Sequence, residues 1–201
     1  MLTPKPYISW TQLQLWESSP ERYKQVYVYG EKIPINRGMA FGKIMAECLE
    51  TDSLAGDPVL DLMMAQIPKL EAMELELTAD LNMGRGKNPI PLLVRMDTAQ
   101  KDLSAFKEYK TGQKPWTKKM VDEFGQITFY ATAIWAKTGK IPQSIELVHI
   151  PTITQPDGKI GATGDIFRHA TTRNMAQVLN MIVRIKKAWA GIQEMAAAEL
   201  L

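Results

Sequence analysis

Two acidic side chains and one amine, which together could hold a divalent cation and activate water, lie on two neighbouring predicted strands. Asp97 is at the end of the first strand, and Glu108 and Lys110 are on the second. Side chains two positions apart on a strand share a face, so Glu108 and Lys110 are expected to point the same way. A turn around residues 100–102 would return the chain antiparallel. Asp97 would then lie about diagonally across from Glu108, roughly 7 Å away.

This set of residue types suits cleavage of a phosphodiester bond. That reaction needs neutralised charge on the phosphate and a hydroxide formed near neutral pH, and a metal can supply both. Carboxylates such as Asp97 and Glu108 are the hard ligands that magnesium and manganese prefer. Lys110 could orient or deprotonate the attacking water, or stabilise charge in the transition state. The same three residues also fit a surface ion pair on a hairpin, which contributes little. The residue types alone leave both interpretations open.

The elements that must position these residues follow from hydrophobic periodicity and from turn residues. Helices are predicted over residues 8–27 with a break at 18–20, and over 38–50, 58–67, 117–138 and 172–200. Strands are predicted over residues 73–81, 91–99, 104–110, 145–150 and 159–168, with a loop at 82–91. This order predicts an α/β fold, a mixed β-sheet flanked by helices.

Composition limits the class of protein without naming a partner. A chain of 201 residues is most simply one domain, residues 1–201, and 45% apolar with 23% charged residues is ordinary for a soluble protein. Cys48 is the single cysteine, which excludes an internal disulfide and a cysteine-based zinc or iron–sulfur site. No membrane span or secretory signal is predicted, so the cytoplasm is the expected location. The net charge of +2 means that a nucleic acid would have to bind a local patch.

Four separated segments carry a family resemblance. They are Ser9-x-Thr11-x-Leu13-x-x-Trp16-x-x-Ser19-Pro20-x-x-Tyr23, then Gly42-Lys43-Ile44-Met45-Ala46-Glu47-Cys48-Leu49-Glu50, then Asp97 with Glu108-Tyr109-Lys110-Thr111-Gly112, and Gln126-x-x-x-Tyr130. In their joint order and spacing they resemble the PD-(D/E)xK nuclease superfamily, and within it the RecB-like exonuclease branch. The resemblance covers roughly residues 8–150.

The resemblance implies a restriction-endonuclease-like core of αβββαβ order and a divalent-metal-dependent DNA nuclease. By that resemblance, Asp97, Glu108 and the backbone carbonyl of Tyr109 would bind Mg²⁺ or Mn²⁺, with Lys110 as the catalytic amine. The branch implies an exonuclease in recombination or repair. Its small stand-alone members resemble phage or prophage proteins. A single-strand annealing or other recombination protein is an expected partner, no membrane is involved, and a homo-oligomer is compatible.

The helix after the catalytic hairpin is expected to contact DNA. Gln126 and Tyr130 are four positions apart and share a helical face. Lys119 and Glu123 would extend this face, opposite the apolar side of the same helix. Trp116 lies among lysines just before it, so it could pack on a base while the lysines track phosphates. The alternative is that Trp116 packs on the core.

The sequence departs from the family at two places. Ser19 stands where relatives often have cysteine, and no cysteine cluster follows, so an iron–sulfur variant is excluded. Ala46 stands where the family has a metal-ligating histidine. We predict Glu47 as the replacement ligand and keep Glu50, one turn on, as the alternative. Both glutamates could also be ordinary surface acids.

The function predicted from the sequence is therefore a metal-dependent DNA exonuclease. A catalytically weak or inactive nuclease fold that binds DNA or a recombination partner is the main alternative, and Ala46 motivates it. Hydrolysis of RNA is a third possibility, because the metal chemistry does not distinguish the sugar. Endonuclease action, strand polarity and strandedness stay open at this stage.

Overall fold

The predicted order of elements is confirmed in the computed structural model of the chain, which describes residues 5–85 and 88–199. Gly86 and Lys87 of the predicted loop, and Leu200 of the last predicted helix, lie outside the described residues. The helices are α1 Trp10–Ser18, α2 Pro20–Tyr27, α3 Arg37–Thr51, α4 Pro58–Met64, α5 Lys118–Asp122, α6 Gly125–Thr138 and α7 Met175–Glu199. No helix in this described part is long and apolar enough to cross a membrane.

The described strands form one mixed sheet. They are β1 Ala72–Leu81, β2 Ile90–Ala99, β3 Ala105–Gly112, β4 Ser144–Thr154, β5 Ile160–Ala162 and β6 Phe167–Thr171. The order across the sheet is β1-β2-β3-β4, with β5 and β6 both paired to β4. β3 and β4 are parallel, and the other pairs are antiparallel. The parallel pair needs a crossover connection, which α5 and α6 provide.

Helices pack on both faces of the sheet. One core joins α1, α2, α6 and α7 to the sheet, and Leu13, Phe106 and Phe129 are among its fully buried side chains. The second core lies under α3 and α4 and includes the predicted apolar stripe of α3, namely Phe41, Met45, Cys48 and Leu49. The catalytic hairpin predicted from the sequence therefore lies between two packed layers.

The N-terminal motif has a structural role. Ser9 caps α1 and Ser19 caps α2, and Pro20 occupies the first turn of α2 as predicted. The buried Tyr23 donates a hydrogen bond to Gln12 Oε1 at 3.2 Å. These contacts fix the α1–α2 pair against the sheet.

The predicted helix over residues 117–138 is wrong at one point, since two helices occupy this range. The break lies at Glu123 and Phe124, and Phe124 has extended backbone. A Cβ at Gly125 would lie 2.3 Å from Trp10 Cη2, so only glycine permits this close approach of α6 to α1. Met120 is 45% exposed, because it belongs to the separate helix α5.

The predicted strand over residues 159–168 is also wrong, because it is two short strands on the same edge of β4. Residues 163–166 leave the ladder between β5 and β6. Gly164 has φ of +98°, and the Asp165 backbone N–H donates to Thr163 Oγ1 at 3.4 Å. The local turn chemistry therefore interrupts the strand.

A buried arginine fixes the break between α5 and α6. Arg173 donates from Nη2 to the carbonyls of Val121 at 2.9 Å and Phe124 at 3.2 Å. Its Nε donates to Thr128 Oγ1 at 2.7 Å, and the residue is only 6% exposed. The two carbonyls also accept longer main-chain bonds, from the Phe124 N–H to Val121 at 3.3 Å and from the Thr128 N–H to Phe124 at 3.4 Å. The guanidinium therefore adds a charged donor to each carbonyl and ties the end of α5 to the start of α6.

We expect Arg173→Met to lower the free energy of unfolding by about 3 kcal/mol or more, because it removes the buried hydrogen bonds from the guanidinium to the Val121 and Phe124 carbonyls and to Thr128 Oγ1. Arg168, whose guanidinium is more than half exposed and pairs with Glu146, is the matched control. Arg168→Met should cost about 1 kcal/mol or less. Urea unfolding of both variants tests this, and equal losses would contradict the assignment.

Candidate active site

The ladder between β2 and β3 stops beside Asp97. Thr98 and Lys107 are the last paired residues before the strands separate. Beyond them the Asp97 carboxylate takes the place of a backbone acceptor, because the Tyr109 N–H donates to Asp97 Oδ2 at 2.5 Å. When the register is extended by one residue, Asp97 lies directly opposite Glu108. The sequence had predicted a diagonal placement instead.

Lys110 and Glu108 contact each other on the shared face predicted from their spacing. Lys110 Nζ donates to Glu108 Oε1 at 2.6 Å and to Gln126 Oε1 at 2.9 Å. Gln126 Nε2 donates in turn to Glu108 Oε1 at 2.7 Å and to the Tyr130 hydroxyl at 2.7 Å. The Lys110 ammonium also lies 5.5 Å from the centre of the Phe124 ring, within cation–π range. The structure thus brings the strand residues and the helix residues into one network.

The two carboxylates lie in a poorly solvated place. Glu108 is 2% exposed, and its Oε2 has no hydrogen-bond partner among the described residues. Burial raises the pKa of Glu108, against the opposing effects of Lys110 and Gln126. Burial, and then the charge of Glu108, raise the pKa of Asp97 to about 8, although the Tyr109 N–H and Lys110 oppose this. Two adjacent buried carboxylates favour the uptake of a proton or a cation.

The site residues fit a hard divalent cation by their chemistry. Glu108 Oε2 is an unpaired anionic oxygen, and carboxylate oxygens are the ligands that Mg²⁺ and Mn²⁺ prefer. The N–H and C=O of a strand residue point to the same neighbour, so the Tyr109 carbonyl faces the gap beside Asp97. Within the described residues, no three acidic, histidine or cysteine side chains already form a metal-ligand cluster. Glu108 Oε2 is available to a cation while Oε1 keeps its contact with Lys110.

A further acid, which the sequence analysis did not select, lies beside Asp97. Glu74 is on β1, and its neighbours pair with the neighbours of Asp97, so the register places Glu74 opposite Asp97. Burial, Asp97 and Glu50 raise the pKa of Glu74, and Arg95 opposes them. The alternating pattern of β1 indicates an acidic outer face, but only the register with β2 shows which acid meets Asp97.

Helix α3 approaches the site closely. A Cβ on Gly42 would lie 3.1 Å from Thr111 Oγ1, closer than most such contacts, so glycine lets α3 pack near β3. Ala46 is half-buried one turn further along. Glu50, another turn on, lies about 40° around the helix from Ala46, whereas Glu47 lies about 100° around, and both glutamates are exposed.

This geometry favours Glu50 over the predicted ligand Glu47. The charge of Glu50 contributes to the raised pKa of both Glu74 and Arg95. The assignment of Glu47 stays a prediction that these electrostatic effects do not support.

Of the four predicted DNA-contact residues, the structure places two in the network and two outside it. Gln126 bonds Glu108, Lys110 and the Tyr130 hydroxyl, and Tyr130 is only 7% exposed, so this face of α6 adjoins the site. Trp116 packs edge-on against Phe124 with ring centres 4.9 Å apart. The Lys119 side chain is 82% exposed on α5 and is 4.0 Å from Glu123. The helix break separates Lys119 from the Gln126 face.

An open groove of about 460 Å³ leads to Lys110. It runs between the start of α1, the middle of β2 and the first turns of α6. Its walls include Ser9, Thr11, Gln14, Glu76, Arg95, Lys110, Gln126 and Tyr130. Its size and polar lining suit a substrate that brings negative charge to Lys110 and Arg95.

The sequence matches no protein-family model and no curated protein. The fold is similar to that of a protein named "Putative exonuclease" from Eubacterium rectale, with a TM-score of 0.63 at 10% identity over 96% of this chain and 82% of that one. It is also similar to an alkaline exonuclease from Laribacter hongkongensis in complex with dAMP, with a TM-score of 0.55 at 13% identity over 98% and 95% of the two chains. The same enzyme in another crystal structure gives a TM-score of 0.51. At these identities the likeness shows the fold alone, and it confirms the predicted restriction-endonuclease-like core.

The raised pKa of Asp97 predicts a pH-dependent stability in the presence of a chelator. Between about pH 4 and pH 8 the folded protein keeps a proton on Asp97 that the unfolded chain has lost. The stability that this proton provides is therefore complete below about pH 4. It is lost as the pH rises toward about 8, by up to about 1.4 kcal/mol per pH unit. Asp97→Asn removes this loss and keeps the acceptor for the Tyr109 N–H.

We therefore expect Asp97→Asn to be more stable than the wild type at pH 8 in EDTA and to lose that advantage at pH 4. Urea unfolding across this pH range is the measurement. Asp80→Asn, at an exposed position on β1, is the control and should follow the wild-type curve. Parallel curves for Asp97→Asn and the wild type would contradict the pKa assignment.

Proposed function

We propose that this protein is a divalent-metal-dependent DNA nuclease, and that it acts as an exonuclease. One observation carries the proposal. The buried Glu108 carboxylate bonds Lys110 and Gln126 through one oxygen, keeps its other oxygen unpaired, and lies beside Asp97 at the end of a broken ladder. A surface ion pair would not require this burial, so the alternative of an exposed hairpin pair is disfavoured.

Asp97, Glu108 and the Tyr109 carbonyl would hold Mg²⁺ or Mn²⁺. The bound ion would neutralise phosphate charge and lower the pKa of a bound water. The residues of this chain supply the rest. Lys110 places its ammonium at the inner end of the groove, where it can donate to a phosphate oxygen or to the attacking water. Gln126 fixes the positions of Lys110 and Glu108, because its amide forms a hydrogen bond with each of them.

DNA as the substrate is supported by the fold and by the groove. The structural neighbours are named as exonucleases, and one of them is solved with dAMP. In this chain the groove beside Lys110 presents Arg95, which suits a phosphate, and Thr11, which suits a hydrogen-bonding group. Trp116 and Lys119 lie outside the network, so any contact that they make to DNA would be away from the reacting phosphate.

The biological setting of this proposal rests on the family resemblance. We place the protein in recombination or repair in the cytoplasm, with a phage or prophage source. A single-strand annealing or other recombination protein would be its partner. A homo-oligomer would bear on processivity.

A catalytically weak or inactive DNA-binding protein is the second candidate. Two observations favour it: Ala46 offers no ligand on α3, and the Lys110–Glu108 contact uses one of the Glu108 oxygens. Such a protein would bind DNA in the groove without cleaving it.

We expect the wild type with Mg²⁺ or Mn²⁺ to degrade end-labelled linear DNA and to leave covalently closed circular DNA intact. Lys110→Ala should lower the rate at least 100-fold, the usual range for a positioned catalytic group. Lys140→Ala, at an exposed residue after α6, should retain the wild-type rate. A folded Lys110→Ala variant with an unchanged rate would refute the mechanism, and DNA binding without cleavage by the wild type would favour the second candidate. RNA of the same sequence tests the choice of sugar.

The two candidate acids of α3 can be separated by Mn²⁺ calorimetry. We expect Glu50→Gln to weaken Mn²⁺ binding by about tenfold, as loss of a group that supports metal ligands commonly does. Glu47→Gln is the matched control on the same helix and should bind like the wild type. The opposite ranking would restore Glu47 as the ligand predicted from the sequence.

A further inference from the structure

Glu74 has a backbone conformation that side-chain-bearing residues rarely adopt within a strand. Its φ is +46°, in the left-handed region. Among the described residues two other non-glycine positions share this property, Asp52 at the end of α3 and Leu103 in the turn before β3. Asp52 and Leu103 lie at chain reversals, which require a positive φ, whereas Glu74 lies inside β1. Such a conformation costs about 1–3 kcal/mol and persists where the surroundings impose it, often at functional sites.

The position of Glu74 relates it to both predicted metal-binding carboxylates. Met73 pairs with Thr98 and Leu75 with Met96, so Glu74 lies across from Asp97, and the charge of Asp97 acts on Glu74. The charge of Glu74 also acts on Glu108 and on the hydroxyl of Tyr130. Glu74 is half-buried, and no hydrogen bond to its carboxylate is found within residues 5–85 and 88–199.

The charges around Glu74 are not balanced. Four carboxylates, those of Glu50, Glu74, Asp97 and Glu108, influence one another here. The nearby cations are Lys110, which bonds Glu108, and Arg95, whose Nη2 donates to Glu76 Oε2 at 3.1 Å.

An independent observation indicates that a cation is needed in this cluster. Glu108 Oε2 has no hydrogen-bond donor, and Glu108 is almost completely inaccessible to solvent, so water cannot serve as the donor either. A buried anionic oxygen without a partner is costly, and a bound cation would satisfy it.

We propose that Glu74 supplies a carboxylate to the divalent-cation site, in compensation for the ligand that Ala46 does not provide. The inference rests on the proposed function, because it adds a ligand to the same site. It explains why a strained residue is held inside β1: the backbone turns a carboxylate toward Asp97 at a point where an ordinary strand residue would continue the ladder. The cation would have ligands from β1, β2 and β3.

Calorimetric titration of the folded protein with Mn²⁺ tests this inference without relying on catalysis. Asp80→Asn is a matched control, because Asp80 is six residues further along β1 and is exposed. We expect Glu74→Gln to raise the Kd for Mn²⁺ at least tenfold and Asp80→Asn to leave it within twofold. In EDTA at pH 8, Glu74→Gln should melt above the wild type, because one of the repelling charges is removed.

Glu74→Asn is a second variant in case the glutamine protein folds poorly, since asparagine tolerates the left-handed region better. It should lose Mn²⁺ affinity to a similar extent. Wild-type Mn²⁺ affinity in both Glu74 variants, with Asp97→Asn unable to bind, would overturn the role of Glu74 and leave the proposed function intact. Absence of Mn²⁺ binding by the wild type would overturn both.

Discussion

The structure depends on an unfavourable arrangement, the buried carboxylate of Glu108 beside the partly buried carboxylate of Asp97 where the β2–β3 ladder ends. Asp97 accepts the Tyr109 N–H and so replaces the backbone partner that a continued ladder would provide. This substitution separates the strands, directs the Tyr109 carbonyl toward the gap and places Asp97 opposite Glu108. Burial raises the pKa of both acids, and the charge of Glu108 raises the pKa of Asp97 further. The unpaired Oε2 of Glu108 leaves part of the cost of burial without compensation. A bound cation would offset that cost, which couples stability to the proposed chemistry.

The surrounding elements hold this arrangement in place. Arg173 fixes the break that allows α6 to begin at Gly125, where glycine permits contact with Trp10. The start of α6 then presents Gln126 to Glu108 and Lys110. On the other face of the sheet, Gly42 lets α3 approach β3. Residues far apart in the sequence therefore set the positions of a few side chains, and a substitution at any of these contacts would act on the site through geometry.

Much of this could be predicted from the sequence, since local patterns determine it. The order of elements, the shared face of Glu108 and Lys110 and the apolar stripe of α3 follow from periodicity. What could not be predicted depends on long-range contacts. The break at Phe124 requires Arg173, which is distant in the sequence, and Glu74 meets Asp97 only through the register of β1 with β2. Glu47 and Glu50 are both acids on one helix, and only the packing of α3 shows which one turns toward the cluster.

The most direct test of the central claim is the anomalous difference map of a crystal of the wild-type protein soaked in Mn²⁺. The account predicts a peak about 2.1 Å from Glu108 Oε2, the distance expected for a hard divalent cation with oxygen ligands, with Asp97 beside it. A map with no peak at Glu108, recorded at a Mn²⁺ concentration that saturates the protein in solution, would contradict the account.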